Sequence, residues 1–181
     1  MIRYFLTIKY SAIILLCCLG ALLVNSFLAI NSFGIVPRAT SHLSGILFAP
    51  FLHANWMHLV ANSFPFIVLS TLIGVHSVKR FWVVFGYSII TSGSLVWLFA
   101  RGDTIHVGMS GVIYAMWGYL IVYGVCQRQF KDIIISVIVL FVYGSLVFGV
   151  LPQQANVSFE SHLFGALAGA ALGYMLAKRA R

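Results

Sequence analysis

Six apolar runs, separated by short polar segments, dominate the pattern of hydrophobic and polar positions along the 181-residue chain. Each run approaches the ~20 residues that a helix needs to cross the hydrocarbon core of a bilayer. The fourth and sixth runs are shorter and rich in glycine and alanine. The pattern predicts an all-α membrane protein, a bundle of six transmembrane helices, with spans at about 11–30, 58–75, 81–100, 111–126, 133–151 and 161–177.

Composition narrows the class of protein further. Apolar residues make up 61% of the chain and charged residues 8%, whereas ordinary soluble domains carry about 25% charged residues. These values exclude a water-soluble globular enzyme, and they exclude intrinsic disorder, which requires low hydrophobicity and high charge. Because six spans of ~20 residues would occupy roughly two thirds of this length, we expect a single transmembrane domain over 1–181 without an appended soluble domain.

The predicted topology explains the net charge of +8 by the distribution of the basic residues between the two sides of the membrane. With six spans, all but two of the eleven Lys and Arg residues fall on one side of the membrane, and the exceptions are Arg38 and Arg101. Because basic loops stay in the cytoplasm, we expect both termini there, in a multi-pass protein of a bacterial cell (inner) membrane. The basic residues therefore report on the lipid bilayer, and nucleic-acid binding is not expected.

Two predicted external connections differ from the short basic loops on the other side. Residues 31–57 form a long connection that is apolar but interrupted by prolines, which is typical of an interfacial or re-entrant element. Connections of this length in compact domains usually carry function. The last external connection, 151–160, is polar and carries almost no charge.

Polar side chains concentrate where the second, fourth and sixth spans begin. In the predicted orientation all three spans begin on the external side, so these clusters lie at a similar depth. Polar and ionisable groups at membrane depth are costly and indicate functional sites. We therefore expect one site, built from His53, His58 and Asn62, from Gly108, Ser110 and Gly111, and from Glu160 and His162.

The residue types in these clusters favour acyl-transfer chemistry. Ser110 can act as a nucleophile if a base such as His162 lies beside it. His58 and Asn62 are four residues apart, hence on one face of a helix, from which both could donate to a developing oxyanion. Ser110 also opens a helix, where free N–H groups favour negative charge, and its flanking glycines allow a tight turn.

Each of these residues also has a plainer explanation. Ser110 taken alone would be an ordinary helix N-cap, and His162 a structural histidine at the membrane interface. His58 and Asn62 could instead bind the long connection through hydrogen bonds. His106, four residues before the serine, is a second candidate base, although a loop histidine is the simpler interpretation.

The acidic residues limit the mechanism. The chain has three, and none is an evident triad partner, so we expect a Ser–His dyad. The sequence has no suitable pair of membrane aspartates, and it lacks the His-Glu-x-x-His sequence of zinc proteases. We therefore expect no metal ion and no other cofactor.

Small residues recur every four positions along the sixth span, at Gly165, Gly169 and Gly173. Such a series lets membrane helices pack backbone against backbone. Since the fourth span also carries glycines, it is the simplest partner, and this contact would bring His162 to Ser110. A homodimer interface is the alternative, and the oligomeric state stays open.

Three motifs together resemble the rhomboid family of intramembrane serine proteases, over essentially all six spans. The family shows G-x-S-G at the start of the fourth helix, matched here by residues 108–111. It shows H-x-x-G-x-x-x-G in the sixth helix, matched by His162, Gly165 and Gly169. It shows H-x-x-x-x-H-x-x-x-N entering the second helix, matched within residues 53–62.

The resemblance implies a role for each matching residue. Ser110 would be the nucleophile and His162 the general base. The oxyanion hole would consist of His58, Asn62 and the Ser110 backbone N–H. Tyr114 matches the tyrosine that stacks on the catalytic histidine in the family.

The resemblance also implies a function, which is hydrolysis of peptide bonds in or next to transmembrane segments of membrane proteins, near the extracytoplasmic face. Substrate helices would enter between spans two and five, residues 151–160 would form a cap, and His53 would be a structural histidine of the first loop. Two departures stand out. The Trp-Arg pair typical of the first loop is absent, since 41–45 reads Ser-His-Leu-Ser-Gly, and Ser161 replaces an alanine.

Two other classes of function remain as alternatives. One is a non-catalytic rhomboid-like protein that binds transmembrane helices for quality control, although such relatives usually lack the serine or the histidine. The other is a small transporter or channel, which would need polar groups along the full depth of the bilayer rather than at one face.

Overall fold

The structure, a computed structural model, describes residues 2–102, 104–152 and 158–180. Within these ranges the chain is helical and has no β-strand, and a single isolated antiparallel bridge pairs Ile35 with His106. Short 3-10 helices cover Ile30–Phe33, Thr40–His42 and Ala49–Phe51. The α-helices of the described ranges are α1 (Ile2–Asn25), α2 (Gly45–Phe48), α3 (Trp56–Gly74), α4 (Val78–Phe99), α5 (Ser110–Gln127), α6 (Phe130–Tyr143), α7 (Leu146–Gly149) and α8 (Phe159–Arg179).

The apolar helices are those of an integral membrane protein. Three of the described helices, α1, α3 and α4, are long and apolar enough to cross a membrane. Helices α5 to α8 occupy the remaining three apolar runs. The total of six spans and the cytoplasmic location of both termini stay predictions.

The first helix is displaced from the predicted span at 11–30, since α1 begins at Ile2. The residues before the predicted start are mostly apolar and contain no helix breaker, so the helix extends through them. The Arg3 guanidinium fixes this extension, because its Nη1 donates to the backbone carbonyl oxygens of Val75 (3.0 Å) and His76 (3.1 Å) beyond the end of α3.

The first helix also ends earlier than predicted, at Asn25. The Asn25 side-chain oxygen accepts the backbone N–H of Asn31 at 2.9 Å, which turns the chain back on itself. The connection to α3 therefore covers 26–55 instead of the predicted 31–57.

The predicted fifth span at 133–151 is not one continuous helix. Helix α6 ends at Tyr143, and the short α7 follows after Gly144 and Ser145. The break falls there because glycine is a weak helix former and a serine hydroxyl competes for backbone hydrogen bonds. The other four predicted spans begin and end within three residues of α3, α4, α5 and α8.

Helix α5 lies at the centre of the packed core. It contacts α3, α4, α6 and α8, and its contact with α8 is the most extensive between any two elements of the described residues. Met116 and Tyr119 of α5 are fully buried, together with Phe66 of α3 and Phe81 of α4. Packing of this kind is what holds helices together in a membrane. It fixes the position of α5, and therefore of the first residue of α5.

The contact between α5 and α8 is a close approach of two backbones. A Cβ atom on Gly169 would overlap the carbonyl oxygen of Ala115 and lie 2.5 Å from its carbonyl carbon. A Cβ atom on Gly165 would overlap the carbonyl oxygen of Gly111 and lie 3.2 Å from Cβ of Tyr114. Both glycines of α8 thus lie against α5 of the same chain.

We expect Gly169→Ala to lower the free energy of unfolding by about 1–3 kcal/mol, because the added methyl group must push the Ala115 backbone away. Chemical denaturation of the purified protein in detergent measures the change. Gly20→Ala is the matched control, since a Cβ atom at Gly20 meets no atom within 4 Å. Equal stabilities of the two variants would contradict the backbone contact.

The long connection between α1 and α3 is anchored at the end of α4. The Arg38 backbone, at φ 63°, donates its N–H to the Trp97 carbonyl oxygen at 2.9 Å, and its guanidinium donates to the Ala100 carbonyl oxygen at 2.7 Å. Trp97 Nε1 donates in return to the Ala39 carbonyl oxygen at 3.0 Å. Trp97 and Arg38 thus hold this connection, although the Trp-Arg pair that is typical of the first loop is absent at 41–45.

Candidate active site

Ser110 is the first residue of α5 and follows a turn shaped by Gly108. Gly108 has φ +119°, a backbone conformation that residues with a Cβ atom rarely adopt. A Cβ atom at this position would also lie 2.7 Å from Nε2 of His58, so the imidazole ring packs directly on the turn. The N–H groups in the first turn of a helix have no partner within the helix. Ser110 therefore lies where free donors and the helix dipole favour an anion.

His162, near the start of α8, is held from two sides. Its Nδ1 lies 2.9 Å from the carbonyl oxygen of Gly149. Its ring stacks on the ring of Tyr114, with 4.1 Å between the centroids and 8° between the planes. Because a carbonyl oxygen only accepts hydrogen bonds, the proton belongs on Nδ1, and Nε2 keeps a lone pair. Within the described residues, the imidazole is thus oriented without a carboxylate.

One cavity of about 770 Å³ brings the candidate side chains together. Its lining comes from α3, α5, α7 and α8 and from the connection between α4 and α5, and it includes Ser110 and His162. In the described part of the chain, the Ser110 side chain makes no hydrogen bond. Hydrogen bonds between catalytic groups are often long without substrate, so the arrangement is compatible with a dyad. The further candidates that line this cavity are His58, Asn62, His106 and Tyr114.

His58 and Asn62 are spaced one turn apart at the start of α3. The Asn55 side chain caps this helix by accepting the His58 backbone N–H at 2.9 Å. Asn62 is buried and donates one amide hydrogen from Nδ2 to the His58 carbonyl oxygen at 3.0 Å. Because an amide group carries two hydrogens, the second can still be offered to a group in the cavity.

His53 does not line the cavity and lies behind His58. Its ring is fully buried and meets the His58 ring edge-on, with 5.1 Å between the centroids. Its carbonyl oxygen accepts a hydrogen bond from Asn31 Nδ2 at 3.1 Å, which links it to the long connection. Burial, together with the neighbouring His58, lowers the pKa of His53 to about 4. The imidazole is therefore neutral at physiological pH.

This lowered pKa predicts acid sensitivity. The pKa of this histidine is near 6.5 in the unfolded chain and about 4 in the folded chain. Between these two pH values the proton binds mainly to the unfolded state, so the free energy of unfolding is highest above pH 6.5 and decreases as the pH falls toward 4. The decrease amounts to about 3 kcal/mol. We expect the melting temperature of the wild type to fall over this pH range, and that of His53→Gln to fall less. Parallel pH profiles of the two proteins would refute a buried neutral histidine.

The structure shows a chain of hydrogen bonds near the site that the sequence does not predict, although two of its members, His106 and Ser161, stand out in the sequence for other reasons. His106 Nδ1 lies 2.6 Å from Ser158 Oγ, and Ser158 Oγ lies 2.7 Å from Ser161 Oγ. Ser158 also caps α8, because its Oγ accepts the Ser161 backbone N–H at 3.2 Å. His106 and Ser158 are 52 positions apart, so no local pattern could pair them. Burial lowers the pKa of His106, and the nearby Glu160 opposes that effect.

An ion pair joins the same two segments. Arg101 Nε lies 2.5 Å from Glu160 Oε1, and Arg101 Nη2 lies 3.3 Å from Glu160 Oε2. The guanidinium also covers the ring of Phe159 at 5.1 Å from its centroid. Glu160 thus binds an arginine and does not orient His162. Of the cap predicted over 151–160, residues 153–157 lie outside the described residues.

The chain matches a known protein family. A model described as a rhomboid domain matches residues 40–179, most of the chain. The chain belongs to the rhomboid family. Members of this family are generally intramembrane serine proteases, although some rhomboid-like proteins are inactive.

Known relatives span bacteria, a virus and a parasite. An uncharacterized protein of Mycobacterium tuberculosis is 40% identical over 151 residues, which cover 79% of this chain and 63% of that protein. A putative rhomboid protein of Acanthamoeba polyphaga mimivirus is 32% identical over 155 residues, 82% of this chain and 81% of that protein. Rhomboid-like protease 5 of Toxoplasma gondii is 30% identical over 138 residues, 71% of this chain and 16% of that protein. The chain thus spans about three fifths of the length of the mycobacterial relatives that it matches.

Proposed function

We propose that this rhomboid protein is an intramembrane serine protease that uses Ser110 as nucleophile and His162 as general base. The observation that carries the proposal is the orientation of His162. Its Nδ1 donates to the Gly149 carbonyl oxygen at 2.9 Å and its ring stacks on Tyr114. This leaves the basic Nε2 available in the cavity that Ser110 also lines.

The reaction would proceed through an acyl-enzyme. As Ser110 Oγ attacks the scissile carbonyl carbon, His162 Nε2 takes the hydroxyl proton and then delivers it to the leaving amine. Water enters the cavity, gives a proton to His162 and attacks the ester, and the proton returns to Ser110 as the acid product leaves. No metal ion or other cofactor takes part in these steps.

The negative charge of each tetrahedral intermediate would be stabilised by preorganised donors. The Ser110 backbone N–H, the second hydrogen of the Asn62 amide and the His58 ring are the candidates, and a helix N-terminus adds its dipole. Removal of one such donor typically lowers kcat by about 10²–10³-fold. The packing of the His58 ring on Gly108 supports this assignment, since it keeps the ring next to the Ser110 turn.

The substrates would be membrane proteins with a transmembrane segment that enters the cavity from the lipid. The helices beside the cavity have large exposed apolar side chains, among them Phe64 of α3 and Phe148 of α7. A lipid-embedded helix can contact such side chains without dehydrating polar groups. With the predicted orientation, the cut would lie near the extracytoplasmic face, where part of the substrate helix must unwind to expose a peptide bond.

The proposal can be tested by reconstituting the purified protein in proteoliposomes together with each of a panel of single-span reporter proteins. The proposal predicts cleavage within or next to the reporter span, at a site that mass spectrometry locates near one membrane face. If folded protein cleaves no reporter of the panel, the non-catalytic helix-binding alternative gains support, and co-purification of intact reporters then tests that alternative.

A further inference from the structure

The connection that leads into Ser110 is tied to the helix that carries His162 by side chains outside the proposed dyad. His106 lies four residues before Ser110 on that connection. Its backbone pairs with Ile35 through two hydrogen bonds, of 2.8 and 3.0 Å, so its position is set by the long connection between α1 and α3. Its side chain reaches Ser158, the N-cap of α8.

We propose that His106 is a positioning residue of the active site, which sets the first turn of α8, and with it the imidazole of His162, through a hydrogen bond to Ser158. The catalytic part of this inference rests on the proposed function. Its structural part, the control of the first turn of α8, does not.

The hydrogen-bonding groups of this cluster satisfy one another. In a neutral imidazole one ring nitrogen donates and the other accepts. Either the Thr104 hydroxyl, 3.1 Å away, donates to Nε2 and Nδ1 donates to Ser158 Oγ, or Nε2 donates to Thr104 and the Ser158 hydroxyl donates to Nδ1. In both arrangements Ser158 Oγ also accepts the Ser161 N–H and shares a hydrogen bond with Ser161 Oγ. The Ser158 hydroxyl thus makes three hydrogen bonds in either arrangement, which fixes its position between His106 and the first turn of α8.

The cluster ends next to the dyad. Ser161 immediately precedes His162, and a Cβ atom on Gly111 would contact the Ser161 carbonyl oxygen at 3.4 Å. Ser161 also replaces the alanine that the family often has before the catalytic histidine, and its hydroxyl is the last group of the hydrogen-bonded chain. The substitution thus has a structural role in this protein that an alanine could not supply.

The same contacts argue against His106 as an alternative base. Both of its ring nitrogens are within hydrogen-bond distance of a hydroxyl, Nε2 of Thr104 and Nδ1 of Ser158. Neither nitrogen is free to take a proton from Ser110. His106 acts on catalysis only through the position of α8.

Two amide substitutions separate a positioning role from a general loss of stability. In His106→Asn, the amide can occupy the place of Nδ1 and keep the bond to Ser158. In His106→Gln, the longer side chain places its amide near Nε2 and loses that bond. We expect the maximal rate of fluorophosphonate labelling (kinact) to fall about tenfold or more in His106→Gln, because small displacements of catalytic groups are costly. KI and the melting temperature should stay close to wild type, and His106→Asn should retain kinact within about threefold of wild type.

Two further variants complete the labelling experiment. The double variant His106→Gln, Ser158→Ala should label no more slowly than Ser158→Ala alone, since both substitutions remove the same link. His42→Gln, at a half-buried histidine of the long connection, is the control and should label like wild type. Equal losses in His106→Asn and His106→Gln, additive losses with Ser158→Ala, or losses that follow the melting temperature would each overturn the positioning role.

Amide hydrogen exchange of the peptide around 158–165 gives a readout that needs no activity. His106→Gln should speed exchange in the first turn of α8, and His106→Asn should not. Absence of labelling in the wild type would count against the proposed function only. Unchanged exchange in His106→Gln would overturn the control of α8 by His106, whatever the labelling shows.

Discussion

Replacing Ser110 by alanine is expected to lower cleavage of a transmembrane reporter by at least about 10³-fold, since loss of a catalytic nucleophile leaves only the contribution of binding and of the oxyanion donors. The melting temperature should change little, because the Ser110 side chain makes no hydrogen bond within the described residues and alanine is compatible with the start of a helix. Initial rates in proteoliposomes, with matched protein amounts, give the ratio.

The partner substitution makes this expectation more stringent. His162→Ala should reduce cleavage to a similar extent, and the double variant should be no slower than either single variant, because the two side chains act as one unit. Cleavage by Ser110→Ala at more than a few per cent of the wild-type rate would mean that another group attacks the substrate.

The second large effect is expected at Gly149, whose carbonyl oxygen accepts the Nδ1 hydrogen bond of His162. A Cβ atom at this position would overlap the Tyr114 hydroxyl and lie 3.2 Å from His162 Nδ1. Gly149→Ala must therefore displace the tyrosine that stacks on the imidazole. Since a displacement of about 1 Å can cost 10²-fold in rate, we expect kcat for reporter cleavage to fall about 100-fold.

A rescue experiment separates this cause from damage to α7. Tyr114→Phe removes the hydroxyl that the new methyl group would strike and keeps the ring that stacks on His162. The double variant Gly149→Ala, Tyr114→Phe should recover part of the lost kcat. Gly86→Ala, where a Cβ atom meets nothing within 4 Å, is the control and should stay near wild type. Wild-type kcat in Gly149→Ala, or no recovery in the double variant, would contradict the clash with Tyr114.

The candidate site was predictable from sequence because its parts begin different helices on the same side. Ser110 and His162 are 52 positions apart, yet both follow a connection on the predicted external side, so the topology alone brings them to one end of the bundle. The three motifs then assigned roles through their resemblance to rhomboid proteins, and the family match over 40–179 confirms that resemblance. The roles themselves stay proposals.

The supporting contacts could not be predicted, because each depends on how distant segments pack. The Gly149 carbonyl becomes available only because the fifth apolar run breaks into α6 and α7, whereas hydropathy predicts one span through that point. The link from His106 to Ser158 depends on the bridge between Ile35 and His106. Hydropathy measures the length of an apolar run, but glycine, serine and side-chain caps decide where its helix begins and ends, as at Asn25.

Labelling with a fluorescent fluorophosphonate tests the central claim most directly, because this probe reacts with an activated serine and requires no knowledge of the substrate. We predict labelling of the purified wild type, a single modified peptide that contains Ser110, and no labelling of Ser110→Ala or His162→Ala. Equal labelling of wild type and Ser110→Ala, or no labelling of folded wild type, would contradict the claim that Ser110 and His162 form a catalytic dyad.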